Sequence, residues 1–469
     1  MKQILTIFSF FIIIVTNAQY LDYNDLGLLF SAENNQGTAR TMAMKGSFGA
    51  LGGDLSALAI NPAGGAIFTN STASFTLGYH QKEVLSDFYG NQFQNSQGDL
   101  NISQAGGLLV FDNNYENNSI QKVVIGINYS IVNDFKNNWM ANGIASPTWV
   151  KDPVDDLINY SNVEIQEYKN YTTGKQSQLN FSIAAQYNDN LYIGASLNTH
   201  DTNFVEESTR QEIANDGNGN SVDAFESYWQ EVQGSGFSMG IGFIFKATQN
   251  FRLGLSYNSP VWYELHEESN LFEEYENDLI GYYNLIYSND PPPYENNINK
   301  VLVYDYKLRT PSKLTGSLAY VFDDKGLISA DITRKNYKGT TISPESQFDF
   351  ENENFDSFLS ESYKLNLGAE WRLDEFSLRA GYSYEQSPFS NLSDTFDQEN
   401  PSNFTLGVGD SSGYSMGIGY DFGNFKIDIA YDQTQQTDFY DIYQKFDFIN
   451  SAEQEKRDDK VLATLTLKL

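Results

Sequence analysis

GTARTMAMKGSFGALGGDLSALAINPAGGAIF, residues 37–68, is the stretch on which the reading of this chain turns. From Gly46 to Phe68 it carries a single charge, Asp54, and more than half of its residues are Gly, Ala or Ser. It lacks the two-residue alternation of a half-buried strand. Its one helical piece, Asp54 to Ile60, is too short to stand alone and halts before Pro62. A segment this apolar, small and irregular requires something built around it. The remainder of the chain supplies that enclosure, an all-β transmembrane antiparallel barrel with residues 19–70 as its plug and residues 71–469 as its wall.

The wall is read from alternation. Phe75, Leu77 and Tyr79 oppose Thr76, Gly78 and His80; Val123, Ile125, Ile127 and Tyr129 oppose Val124, Gly126, Asn128 and Ser130. The same pattern returns at Leu179–Tyr187, Phe237–Phe245, Tyr363–Trp371, Phe376–Tyr384, Tyr414–Phe422, Phe425–Tyr431 and Val461–Leu469. In a soluble sandwich the second face would be charged. Here it is mostly Gly, Ser, Asn and Thr, with isolated charges such as Glu370, Arg372, Arg379 and Asp428, expected to pair across strands. Runs of about ten residues with that dyad suit strands facing lipid outside and a polar lumen inside.

The links between strands decide the architecture. Counting gives about fourteen strands, an even number as bacterial barrels have. Short links (112–119, 188–190, 247–250, 323–325, Asp374, 423–424) alternate with long ones (81–100, 133–175, 204–224, 266–307, 339–361, 388–411, 436–457). Tight turns at one end and seven long extracellular loops at the other place both chain ends on the periplasmic side. Pro153–Tyr160 is expected as a short loop helix, and Pro291-Pro292-Pro293 falls in another loop.

Composition agrees. Residue Lys2 followed by the apolar run Ile4–Val15 and by Thr16-Asn17-Ala18 has the form of a secretory leader over residues 1–18, too short to span a bilayer. No cysteine occurs, which excludes disulfides, thiolate metal sites and a lipid-anchored N-terminus. The 31 Tyr and 33 Phe suit strands with aromatic girdles. A net charge of −32 argues against nucleic acid and anionic membrane surfaces as partners and places most acidic residues in solvated loops. Divalent ions bridging those loops to lipopolysaccharide would need clustered oxygen ligands, and no loop signature supplies them.

On these residues the chain resembles the FadL/TodX family of outer-membrane transporters for long-chain fatty acids and other hydrophobic compounds. The matching elements are Gly37-Thr38-Ala39-Arg40, Asp54 and Asn61-Pro62-Ala63-Gly64 in the plug. TPSKLTGSLAYVF from Thr310, and Tyr363–Phe389 with its Ser387-Pro388 ending, match further on. Leu469 departs from the terminal aromatic that barrel-assembly machinery reads. The resemblance implies capture of a hydrophobic molecule at the outer face, passage into a lumenal pocket, and sideways exit through the wall when the hatch shifts. A Gly-rich plug changes conformation cheaply. The hatch residues would be Asp54, Asn61, Pro62, Ala63 and Gly64. Asn61 is either a cap before Pro62 or a latch on the wall. Arg379, aimed inward, either meets a substrate carboxylate or pairs with Glu370.

Other chemistry finds little support. His80, His200 and His266 are all expected to point inward, without the spacing of a metal site or a catalytic set. The Gly-x-Gly pieces, Gly240-Ile241-Gly242 and Gly417-Ile418-Gly419, lie inside strands, which rejects nucleotide binding. A non-enzymatic transporter without cofactor or metal is therefore expected, with a hydrophobic small molecule, outer-membrane lipid and the assembly machinery as partners. A haem-binding receptor using the histidines, and a structural or adhesive barrel, are the alternatives.

Overall fold

A computed structural model describes residues 21–34, 37–112, 119–144, 160–277, 281–284, 301–392, 404–442 and 451–469. The expected leader, the Pro-rich loop and all of the segment expected as a loop helix over 153–160 except Tyr160 lie outside them. The wall is one antiparallel sheet. Its strands are β1 (Thr72–Phe88), β2 (Asn91–Asp112), β3 (Ile120–Asp134), β4 (Asn137–Asn142), β5 (Asn162–Tyr187), β6 (Leu191–Asn215) and β7 (Ser221–Lys246). It continues through β8 (Phe251–Asn258), β9 (Trp262–Asn277), β10 (Gly281–Asn284), β11 (Leu302–Arg309), β12 (Lys313–Phe322), β13 (Gly326–Asn336) and β14 (Thr341–Ser343). It ends with β15 (Glu361–Leu373), β16 (Phe376–Glu385), β17 (Leu406–Asp421), β18 (Phe425–Tyr440) and β19 (Ala452–Lys468).

Several of these are segments of one stave: β3 with β4, β8 with β9, β10 and β11 (both paired with β9) with β12, and β13 with β14, which makes a closed barrel of 14 strands. Closure is by β1 on β19, from Thr72↔Lys468 to Asp87↔Glu453. The tight turns sit where expected, with left-handed backbone at Asn188, Asp323 and Asp374 (φ 50°, 52° and 55°).

Outward faces define a lipid band. On β7 the exposed residues Phe237, Met239, Ile241, Phe243 and Phe245 alternate with buried Ser238 and Ile244. Aromatic side chains rim it, with Tyr187, Phe322, Trp371 and Phe376 at the turn end and Tyr79, Phe237, Trp262 and Tyr414 at the other. No described helix is long and apolar enough to cross a membrane.

Above the band the strands continue. The link expected over 81–100 is two long strands joined at Tyr89-Gly90, and that expected over 204–224 narrows to residues 216–220 between β6 and β7. Polar outward residues disguised these extensions as loop, because beyond the lipid both faces can be wet. The parity also slips at bulges, and one of them decides a site residue. Gly240 pairs with Asn258 but Phe237 with Trp262, so one extra residue at Ser259-Pro260-Val261 turns the pattern over. His266 therefore faces outward, half-exposed beside Asp305 at 2.8 Å, and not into the lumen.

Inside the barrel lie two segments from the start of the chain. Residues 37–68, with α2 (Ala39–Met42), α3 (Ala57–Ile60) and a 3-10 turn (Pro62–Ile67), fill the turn end. The helix α1 (Tyr23–Ser31) fills the loop end beneath α4 (Asp349–Phe358).

Candidate functional site

The plug is assembled by short-range polar contacts. Thr38 caps α2 and donates its hydroxyl to Asp54 Oδ1 (2.7 Å), which also accepts the Ser56 N–H (2.9 Å). Asp54 thus folds two arms of the plug together. Asn61 does two jobs with one carboxamide. Its Oδ1 accepts from Ala63 N (3.1 Å), capping the 3-10 turn. Its Nδ2 donates to Gly49 O (2.7 Å) and, across to the wall, to Phe243 O on β7 (3.1 Å). Replacing Asn61 with alanine takes one bond from each of these three backbone groups. We expect the plug's opening, read by hydrogen exchange at Gly49 and Ala63, to rise about tenfold or more.

The wall is shaped to receive this turn. Gly194 on β6 and Gly242 on β7 are register partners. A Cβ at Gly242 would stand 1.9 Å from Asn61 Oδ1, and one at Gly194 2.4 Å from Ala63 N. These glycines are a seat, and one of the Gly-x-Gly pieces contributes half of it.

Charge fixes the plug as well. Arg40 donates through Nε to Glu370 Oε2 (2.8 Å) and stacks over Phe48 (5.2 Å to the ring centroid). Glu370 also accepts from Arg372 (2.8 Å) and Arg379 (2.7 Å), and Arg379 reaches Asp428 (2.6 Å). A second buried pair, Lys45–Asp432 at 2.8 Å, holds the other side of the plug.

Between plug and α1 lies a chamber of about 350 Å³. Phe30, Val132, Phe135 and Trp139 line part of it, and Lys45, Lys313, Lys335 and Lys364 another part. The lysines are matched by carboxylates: Lys313 by Glu33 (2.6 Å), and Lys335 and Lys364 by Glu385 (3.1 and 2.9 Å).

Beside the chamber the wall is interrupted. β2 pairs with β1 along its length, but with β3 only from Gln104↔Ser130 to Asp112↔Lys122. Above that level no described backbone ladder joins β2 to its next neighbour. Side chains bridge instead: Asp99 on β2 meets Lys136 (3.2 Å) and Lys175 of β5 (3.1 Å). Leu100 and Ile102 present apolar surface outward at the same height.

The family model for outer membrane transport proteins of the OMPP1/FadL/TodX type matches residues 27–445. The chain belongs to that family. As a FadL/TodX protein it resides in the bacterial outer membrane and serves the transport of hydrophobic compounds. Solved structures share the fold. A Pseudomonas aeruginosa FadL homologue aligns with a TM-score of 0.59 at 15% identity, covering 93% of this chain and 99% of its own. The monoaromatic hydrocarbon channel CymD aligns at 0.53 and 13%, covering 93% and 99%. The Pseudomonas putida toluene transporter TodX aligns at 0.52 and 13%, covering 92% and 98%. No curated protein sequence matches the chain.

In this FadL/TodX chain the residues singled out from sequence fall in two places. Asp54, Asn61, Pro62, Ala63 and Gly64 lie together in the plug at the turn end. Arg379 lies below the plug between Glu370 and Asp428, its register partner being Glu370, and does not line the chamber. Parity placed it inward correctly; depth along the strand, which parity does not reveal, placed it too near the turn. The lumenal histidines have serine neighbours, His80 with Ser103 (3.4 Å) and His200 with Ser238 (2.9 Å), and His266 is outside. Their separation brings no two together as ligands. Sequence reasoning missed the chamber lysines and α1. Its signal was Asp22 before Leu26–Phe30, the capping residue of a short amphipathic helix.

Proposed function

We propose that the protein admits long-chain fatty acids or chemically similar hydrophobic molecules passively, from the outer face through the chamber and out sideways where β2 leaves β3. The observation that carries this reading is a chamber whose lining sets aromatic and aliphatic side chains against buried lysines. An acyl tail gains about 0.8 kcal/mol per buried CH₂, so apolar contacts suffice to hold it, and a lysine ammonium suits an acidic head. Arg379, bound by two carboxylates, is replaced in this role by the chamber lysines. The plug's seat at Asn61–Gly64 serves as the hatch, whose shift clears the lower lumen. Passage without chemical change needs no cofactor. Lipid surrounds the apolar band, lipopolysaccharide meets its outer rim, and the assembly machinery inserts the wall despite the terminal Leu469.

Mass spectrometry of small molecules retained by the detergent-purified barrel tests the reading. Fatty acids or similar amphiphiles, with uptake lost in a deletion strain, are expected; an empty barrel and unchanged uptake would overturn it. The sideways route makes a separate prediction. Asp99→Ala removes a half-exposed latch worth up to about 1 kcal/mol, so oleate uptake should rise roughly two- to fivefold. Unchanged uptake would place the exit elsewhere.

A further inference from the structure

Asp331 is a charge that neither the plug nor the chamber has matched. It sits midway along β13 and is 1% exposed, on a strand whose other face turns Ile328 and Ile332 to the lipid. The lumenal cations around the plug are committed elsewhere: Lys45 to Asp432, Arg40 and Arg379 to Glu370, Lys335 and Lys364 to Glu385. One oxygen of Asp331 is in use. Its Oδ2 accepts the N–H of Gly49 (2.9 Å), whose own carbonyl accepts from Asn61, so a single plug peptide is held from both sides. The other oxygen, Oδ1, is buried and has no hydrogen-bond partner among the described residues.

Two more oxygens in the same state lie beside it. Ser317 on β12 and Asn366 on β15 are the register partners of Asp331 to either side, and all three side chains are buried inside the barrel. Directly opposed residues of neighbouring strands have Cβ atoms about 4.5–5.5 Å apart. Ser317 Oγ and Asn366 Oδ1 also lack a hydrogen-bond partner among the described residues. Glycines of the plug close over this row. An ideal Cβ at Gly49 would stand 2.1 Å from Ser317 Oγ and 3.1 Å from Asp331 Oδ2, and one at Gly46 3.9 Å from Asn366 Nδ2. Asp331 and Asn366 also line the chamber, which gives the row a way in.

A carboxylate in the lipid-spanning part of a wall is strongly unfavourable without a counter-charge. Water would satisfy the three oxygens but leave the charge. Donors that are all oxygen suit a hard cation, since no thiolate or imidazole is among them. One carboxylate balances one positive charge, so a divalent ion would leave an excess. We propose that Asp331, Ser317 and Asn366 bind one alkali-metal cation, and that this cation keeps the plug seated. With it in place Asp331 stays ionised, and its Oδ2 remains a charge-assisted acceptor for Gly49. Loss of the cation is relieved by hydrating the carboxylate, which requires Gly46–Gly49 to lift from β12, β13 and β15. Seating of the plug then depends on the salt around the barrel, whatever molecule the barrel carries.

The test uses the full barrel in detergent at fixed pH and ionic strength, with sodium chloride exchanged for the chloride of N-methylglucamine, a cation too bulky for the row. Sodium is expected to slow hydrogen exchange at Phe48 and Gly49 saturably, about tenfold at ten times its Kd. Asp331→Asn removes the charge and keeps an oxygen for the Gly49 N–H, so its plug should stay protected and become indifferent to sodium. Ser317→Ala should keep the response but need roughly tenfold more sodium. Wild-type exchange at Phe48 and Gly49 that ignores sodium would overturn the site, as would a sodium effect that survives Asp331→Asn unchanged. Protection that needs calcium instead of sodium would overturn the single-charge assignment.

Discussion

Replacing Glu370 with alanine is expected to unseat the plug while the barrel stays closed. This one carboxylate, almost fully buried, receives three guanidinium groups, those of Arg40, Arg372 and Arg379. Without it the three cations keep Asp428 nearby, and Arg40 the further charge of Asp54. Arg372 is 40% exposed and can turn to water, so its share of the penalty is small. Arg40 and Arg379 cannot turn so easily, and removing one partner of a buried pair costs about 3–5 kcal/mol. The simplest relief is for Arg40 to leave, taking α2 with it. The wall around Glu370 keeps its ladder to β13 and β16, so folding persists. In planar bilayers the wild-type barrel should pass almost no ions and the variant should show frequent openings. A variant as silent as the wild type would mean that Lys45–Asp432 and the backbone contacts hold the plug unaided.

A side chain at Gly242 should produce the same opening by steric means. In Gly242→Val the new carbons would occupy the space of Asn61 Oδ1, 1.9 Å from an ideal Cβ, with Pro62 Cδ at 3.2 Å. Overpacking a core usually costs about 1–3 kcal/mol through small shifts. Here Gly194 on the neighbouring strand allows no sideways retreat, because its own ideal Cβ stands 2.4 Å from the same turn. The 3-10 turn must leave its seat, and exchange at Ala63–Ile67 should rise a hundredfold or more, about 2.7 kcal/mol at minimum. Gly316→Ala, where an added carbon meets nothing within 4 Å, is the control and should be silent. Protection at Ala63–Ile67 unaltered by valine would show that the turn is not seated on these glycines.

Sequence periodicity made the barrel legible because lipid on one face and lumen on the other enforce strict alternation within the band. It also made the plug legible, since a Gly-rich apolar segment has nowhere else to go. The inward pairing of Glu370 with Arg379 followed from parity alone. Legibility failed where parity carries no height, as at Arg379, and where a single extra residue inverts it, as at His266. It failed again above the lipid, where wet strands and loops have similar composition. The helix α1 was hidden for another reason. Its burial depends on partners far along the chain: Asn354 donates to Asn24 Oδ1 across 330 positions. The Gly-x-Gly pieces were visible, but their purpose as seats required knowing that Gly194 and Gly242 face one another.

Thr464 has a consequence for the order of assembly. Its hydroxyl accepts the N–H of Ala39 (2.7 Å) and meets Thr76 (2.8 Å) at the closing seam, so residues from the beginning of the chain wait on a residue five places from its end. Contacts of such long sequence separation are slow to form. The plug and α1 are translated before the first stave, and the seam between β1 and β19 cannot zip until the last stave arrives. The interior must therefore be loaded before the cylinder shuts, like cargo stowed before the final plank is fitted. A chain whose early segments arrive late would close around empty space, leaving an open hole in the membrane that the cell must either tolerate or destroy.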